Sequence, residues 1–159
     1  MKYADLIERV EKASGPDREI DWLIACGLDH DHMREYAEAW EGDSVTRYAR
    51  IPGKELATID TDSGERRTTS IKPDYYSSSL DAAIGLVERV LPPPGYHVRS
   101  IGQDDHWNWI AAIGEGYPSN HRRVFRSKSD PGSPNPALAV LSALLRALLS
   151  RIQKDTNDG

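Results

Sequence analysis

A single cysteine, Cys26, in 159 residues leaves no intramolecular disulfide to form, so nothing points to an oxidising compartment and a reduced cytoplasm is the default. Positive charge is not in excess either. Twenty Lys and Arg stand against 25 Asp and Glu, a formal net charge of −5; the chain as a whole repels nucleic acid and anionic lipid, and only a local basic patch could reverse that. Between Met1 and Lys12 the charged residues Lys2, Asp5, Glu8, Arg9 and Glu11 interrupt the apolar ones, which excludes an uncharged signal-peptide core there. No Gly-x-Ser-x-Gly elbow, Walker loop, dinucleotide fingerprint or Cys-x-x-Cys pair occurs, so these chemistries have no signature and no cofactor is implied. No repeat or domain linker is visible. With 38% hydrophobic and 28% charged residues, a chain of this length can bury about 68–70% of its unfolded surface. One domain is expected over residues 1–153, followed by a polar tail, 154–159.

Helical spacing dominates the N-terminal part. Leu6, Ile7 and Val10 predict a helix over Ala4–Lys12. Ser14 with Asp17 reads as a capping box for the next helix, whose stripe is Ile20, Leu23, Ile24 and Leu28. Met33, Tyr36, Ala37 and Trp40 fit a third helical stretch, entered at Asp29 or Asp31 and stopped at Gly42, or else a loop with one helical turn. From Ser44 to Lys72 the texture is that of strands, with Leu56–Asp60 and Arg66–Ile71 forming a hairpin around Gly64. Ser78 with Asp81 opens a helix that Pro92-Pro93-Pro94-Gly95 ends. Tyr96–Ile101, Trp107–Ile113 and Arg122–Arg126 read as strands, the last an edge strand guarded by its charges. Trp107, Trp109, Ala111 and Ile113 would share one inward face at period two.

Asn135-Pro136 then caps the longest helix, Pro136–Gln153, about 27 Å long, with a ridge of Leu138, Leu141, Leu145, Leu148 and Ile152. Its apolar run is broken by Arg146 and falls short of the roughly 20 residues of a membrane span. The order of elements predicts an α+β fold in which an antiparallel sheet is sandwiched between helices, an αβα sandwich.

Few motifs carry chemistry. His30 and His32 within Asp29-His30-Asp31-His32 diverge on a helix, and no distant partner completes a metal site; Asp31 reads as a cap. Asp104, Asp105 and His106 offer acids and an imidazole that could support a hydrolase, although the same residues make an ordinary hairpin turn. Asp60–Glu65 fails as a calcium loop because Gly64 comes early and Ile71 stands where the bidentate acid belongs. Tyr75–Ser79 could meet a phosphate at a helix start, and capping alone explains those serines. The dense basic stretch His121–Lys128 suits a solvated edge strand or phosphate contact. Trp107, Trp109, Arg122 and Arg123 are the candidate ligand-binding residues, gathered around one sheet edge.

Three stretches carry a resemblance: Leu6 through Asp21, Tyr76 through Ser79-Leu80-Asp81-Ala82-Ala83-Ile84 to Val87, and Pro136-Ala137-Leu138-Ala139-Val140-Leu141 to Arg146-Ala147. Together they resemble the small phage and prophage proteins that have a phage ABA-sandwich domain. The resemblance implies a helix–sheet–helix sandwich encoded by a phage or prophage, with no catalytic residues to transfer. The chain departs from that pattern by a longer insert between Cys26 and Tyr75. The expectation is a non-enzymatic accessory protein of the host cytoplasm that binds a host or phage protein, or itself. A binding protein or anti-defence sponge for a small ligand such as a nucleotide, using Trp107, Trp109, Arg122 and Arg123, is the alternative, and a hydrolase using Asp104, Asp105 and His106 a second one. Membrane and nucleic acid are not expected partners.

Overall fold

In the computed structural model, residues 3–42, 44–91, 95–117, 120–129 and 131–157 are described. Pro92–Pro94, expected to end a helix, lie outside them, as do Asp130 and the last two residues of the expected tail. The fold is α+β, as expected. Its elements are α1 (Tyr3–Lys12), α2 (Arg18–Gly27), α3 (His30–Glu41), β1 (Val45–Arg50), β2 (Ala57–Thr61), β3 (Arg66–Thr69), α4 (Leu80–Val90), β4 (Tyr96–Gln103), β5 (Trp109–Tyr117), β6 (Asn120–Arg126) and α5 (Pro136–Asn157). The strands form not one sheet but two three-stranded ones, β1-β2-β3 and β4-β5-β6, with every pairing antiparallel. The described residues gather into two compact units, 1–20 with 75–159, and 21–74. The second nearly coincides with the insert between Cys26 and Tyr75.

In the first unit α5 is the organising element. It packs against all three strands of its sheet and against α1 and α4. Every residue from Ala137 to Leu145 is fully buried, so the first half of this helix is packed all round instead of presenting a single ridge, while Ile152, expected to end that ridge, is 43% exposed. It runs to Asn157, past Gln153, and takes up Lys154 to Asn157 of the expected tail. Among the described residues it is the one helix long and apolar enough to cross a membrane, over Pro136–Thr156, and 61% of that window is buried inside the fold, as in a core helix.

Caps fix where the helices begin. Asn135 Oδ1 accepts the Leu138 N–H at 2.9 Å, as its position predicts. α2 is capped by Asp17, whose Oδ1 accepts the Glu19 N–H at 2.8 Å, and not by Ser14. α4 is capped by Ser79, one residue beyond Ser78, accepting from Ala82 N at 3.2 Å. The buried Ser77 ties these starts together: its Oγ accepts from Asp17 N at 3.0 Å and donates to Asp17 O at 3.1 Å, and its carbonyl accepts from Asn135 Nδ2 at 3.1 Å. The serines of Tyr75–Ser79 thus serve the helix entrances.

In the second unit Trp22, Ile24, Met33, Ala37, Tyr48 and Ile59 form the core. The predicted hairpin is β2–β3, turned by Gly64 at φ +78°, which L side chains rarely adopt; Thr61 and Glu65 close it at 3.0 Å. Asp60 pairs with Arg47 and Arg66 from the strands on either side. The Arg47 hydrogen bond, first among these effects, holds its carboxyl below the usual carboxylate range. α3 is a full helix of 12 residues. Asp29, not Asp31, occupies its cap position, without a side-chain capping bond, and Asp31 lies 3.9 Å from Arg34 in the first turn.

Candidate functional site

The stripe Met33, Tyr36, Ala37 and Trp40, read from sequence as one apolar face, divides in the fold. Met33 and Ala37 are buried against the core, whereas Tyr36 is 45% and Trp40 73% exposed. Residues four apart on a helix are neighbours, so these two rings meet, their centroids 6.2 Å apart and tilted by 47°. Beside them a cavity of about 290 Å³ is bounded by Thr69, Ser70, Ile71 and Lys72 at the end of β3. Lys72 Nζ lies 3.0 Å from a Glu55 carboxylate oxygen, which neutralises the charge beside the aromatic pair. The site therefore offers large, rigid, amphipathic area with little net charge, the composition of an interface anchor.

The four residues chosen from sequence as ligand-binding fall in different places. Trp107 is 79% exposed and lies in the β4–β5 turn, not on the strand, so it is not a core residue. Its φ of +64° follows from the way Asp104 organises the loop. Asp104 Oδ1 accepts the N–H groups of His106 at 2.8 Å and Asn108 at 2.9 Å, its N–H donates to Asn108 O at 2.8 Å, and its carbonyl accepts from Trp107 N at 3.1 Å. Burial pushes the Asp104 carboxyl up, but the donors at Asn108 and His106 together outweigh it and hold it below its ordinary value. Asp105 and His106 are exposed. Trp109, half-buried, exchanges two 2.8 Å backbone bonds with Ser133. Arg123 lies 3.9 Å from Glu115 across β5–β6, and Arg122 stands exposed at the register shift beside it.

His30 and His32 also part company. The His30 ring stacks on Tyr48, with centroids 4.7 Å apart, and its Nε2 sits 3.0 Å from Tyr48 O; His32 Nε2 lies 3.7 Å from Asp74. Among the described residues no group of three or more His, Cys, Asp or Glu could hold a metal ion.

A second concavity opens on the β4-β5-β6 sheet, with a volume of about 470 Å³. One row of this sheet pairs Ser100 with Ala112 and Ala112 with Arg126; the next pairs Gly102 with Ile110. Small residues along the middle strand leave a trough between the outer two. A register shift between Val98 and Ser100 adds Arg99 as an extra residue, and such bulges re-aim side chains, which brings Arg99 to the trough rim. Arg126 stood in the basic stretch noted in the sequence, but no sequence signal marks the bulge that recruits Arg99.

Comparison with protein-family models, with curated proteins and with solved structures gives no match for this chain.

Proposed function

We propose that this protein acts by binding another protein, as an accessory factor of a phage or prophage in the host cytoplasm. The observation that carries the binding role is the Tyr36–Trp40 pair, a tryptophan 73% exposed beside a tyrosine 45% exposed at the mouth of a cavity. Aromatic anchors flanking a pocket are where binding energy concentrates in protein interfaces, and water gains nothing from contact with so large an apolar ring. The phage setting is supported by the resemblance of the helical stretches to the ABA-sandwich proteins. The non-enzymatic reading is supported by the absence of catalytic motifs in the sequence and by the use of Asp104 to build a turn.

Affinity capture from host lysate, run in parallel with full-length wild-type and Trp40→Ser baits, tests the reading. Wild-type protein should retain a defined partner, or its own copy by light scattering, that the variant loses at unchanged melting temperature. A monomer that retains nothing, or retains the same proteins with and without Trp40, overturns it.

A further inference from the structure

We propose that the trough on the β4-β5-β6 sheet is a binding site for a small phosphomonoester bearing a flat ring, the class of a nucleoside monophosphate. The argument begins with charge. In a chain of net charge −5, the trough is lined by Arg99 and Arg126 and, among the described residues, by no Asp or Glu. Among the described residues neither guanidinium has an ion-pair or hydrogen-bond partner. They stand on the two outer strands, about 10 Å apart at the backbone from the spacing of neighbouring strands, and so flank the same space. A guanidinium offers a planar fork of N–H donors that matches a phosphate bidentately; two of them facing one gap suit a doubly charged tetrahedral group better than a single carboxylate.

The remaining lining says what the rest of the ligand is. Ser100 carries a hydroxyl beside the arginines. Further along, Ile110 and the side-chain-free Gly102 make an apolar floor, and Ala112 in the same lining is only 6% exposed. A planar ring can lie on such a floor under a guanidinium, which stacks on flat π systems. The volume of about 470 Å³ falls in the range of small-molecule sites. A nucleic-acid strand fits less well: among the described residues no aromatic platform lines the trough for successive bases to stack on, and the net negative charge repels a long polyanion.

Thermal unfolding and equilibrium dialysis of the full chain with 5′-AMP, 5′-GMP, 5′-CMP and 5′-UMP provide the test, with adenosine, inorganic phosphate and an oligodeoxyadenylate as comparators. At least one monophosphate should raise the melting temperature saturably, since a ligand that binds only the native state must, while its nucleoside does not. Arg99→Ala and Arg126→Ala should each weaken binding about tenfold or more without lowering the melting temperature of the free protein, and Arg126→Lys should recover part of the loss. Trp40→Ser should leave this binding intact, which separates it from the protein-binding reading. The proposal is overturned if no monophosphate binds at millimolar concentration, if the Arg99→Ala/Arg126→Ala double variant binds as well as wild type, if inorganic phosphate alone binds as tightly, or if the oligonucleotide binds more tightly per phosphate.

Discussion

One carboxylate oxygen of Glu11, on α1, holds two residues of α5: Oε1 lies 2.8 Å from Arg146 Nε and 2.7 Å from its Nη2, and 2.8 Å from the fully buried Ser142 Oγ. Ser142 and Arg146 are the polar positions of α5 that meet α1. They are the seam at which α1 docks, and Glu11 is largely sheltered there, with 14% of its side chain exposed.

Glu11→Ala should therefore destabilise the protein by about 1–3 kcal/mol, the cost of leaving buried hydrogen-bonding groups unmatched. Arg146→Ala should cost less, about 0.2–1 kcal/mol, because its side chain is 42% exposed and Glu11 keeps Ser142. Urea unfolding of both variants measures the order. Equal effects would show that the ion pair, and not the buried hydroxyl, dominates the seam.

Trp107 should be dispensable for folding. A bulky residue at φ +64° carries a backbone cost of about 1–2 kcal/mol, and the ring, 79% exposed, contributes little packing in return. Trp107→Asn, which tolerates that conformation, should leave stability unchanged or raise it by up to about 1 kcal/mol. A loss of about 3–5 kcal/mol, the cost of emptying an aromatic core position, would place the ring inside.

Gly132 is confined by packing. A Cβ there would lie 2.8 Å from Asn108 Cβ and 2.9 Å from Trp109 O, beside the two backbone bonds that join Trp109 and Ser133. Gly132→Ala should cost about 1–3 kcal/mol, read by denaturant unfolding, and should speed amide exchange at Trp109 and Ser133. Full retention of stability would mean that the loop yields without breaking the bridge.

Tyr48 sets a limit at alkaline pH. It is 3% exposed; burial first, and the neighbouring Cys26 second, push its phenol well above the ordinary value. A folded-state pKa raised above the unfolded one favours the native state fully below the unfolded value, about 10. That contribution is lost as pH rises beyond it, at about 1.4 kcal/mol per pH unit for one proton. Tyr48→Phe should flatten the decline without abolishing it, because burial raises Tyr96 as well. An unchanged slope above pH 10, measured by urea unfolding across pH, would contradict the assignment.

Local signals made much of this fold legible. The cap at Asn135 and the glycines at positions 42 and 64 mark element ends because a short polar side chain or a missing Cβ decides backbone geometry within a few residues. Ser14 and Ser78 misled by one to three positions for a related reason: capping depends on which neighbouring polar side chain the entering chain presents, and at the start of α2 Ser77, bonded to Asp17 from far along the chain, holds that entrance. Trp107 misled more seriously, since period-two spacing cannot reveal that an aspartate two to four residues away will gather the backbone N–H groups into a loop. Of the functional surfaces, Tyr36 and Trp40 were visible as part of a stripe but not as its outward flank, and the trough was invisible because its arginines come from strands that meet only in the sheet.

The sequence by itself determined the α+β class, most helix positions, the β2–β3 hairpin and the acidic balance, all of which depend on spacing, turn chemistry and composition within short windows. Only the tertiary structure decided that the strands divide into two sheets, that the first half of α5 is enclosed on every side, that Glu11 reaches Ser142 and Arg146, and that Arg99, beside a register shift, lines the same trough as Arg126. Those outcomes depend on contacts between residues tens of positions apart, whose free energy is realised only when the whole unit closes, so no local pattern encodes them separately.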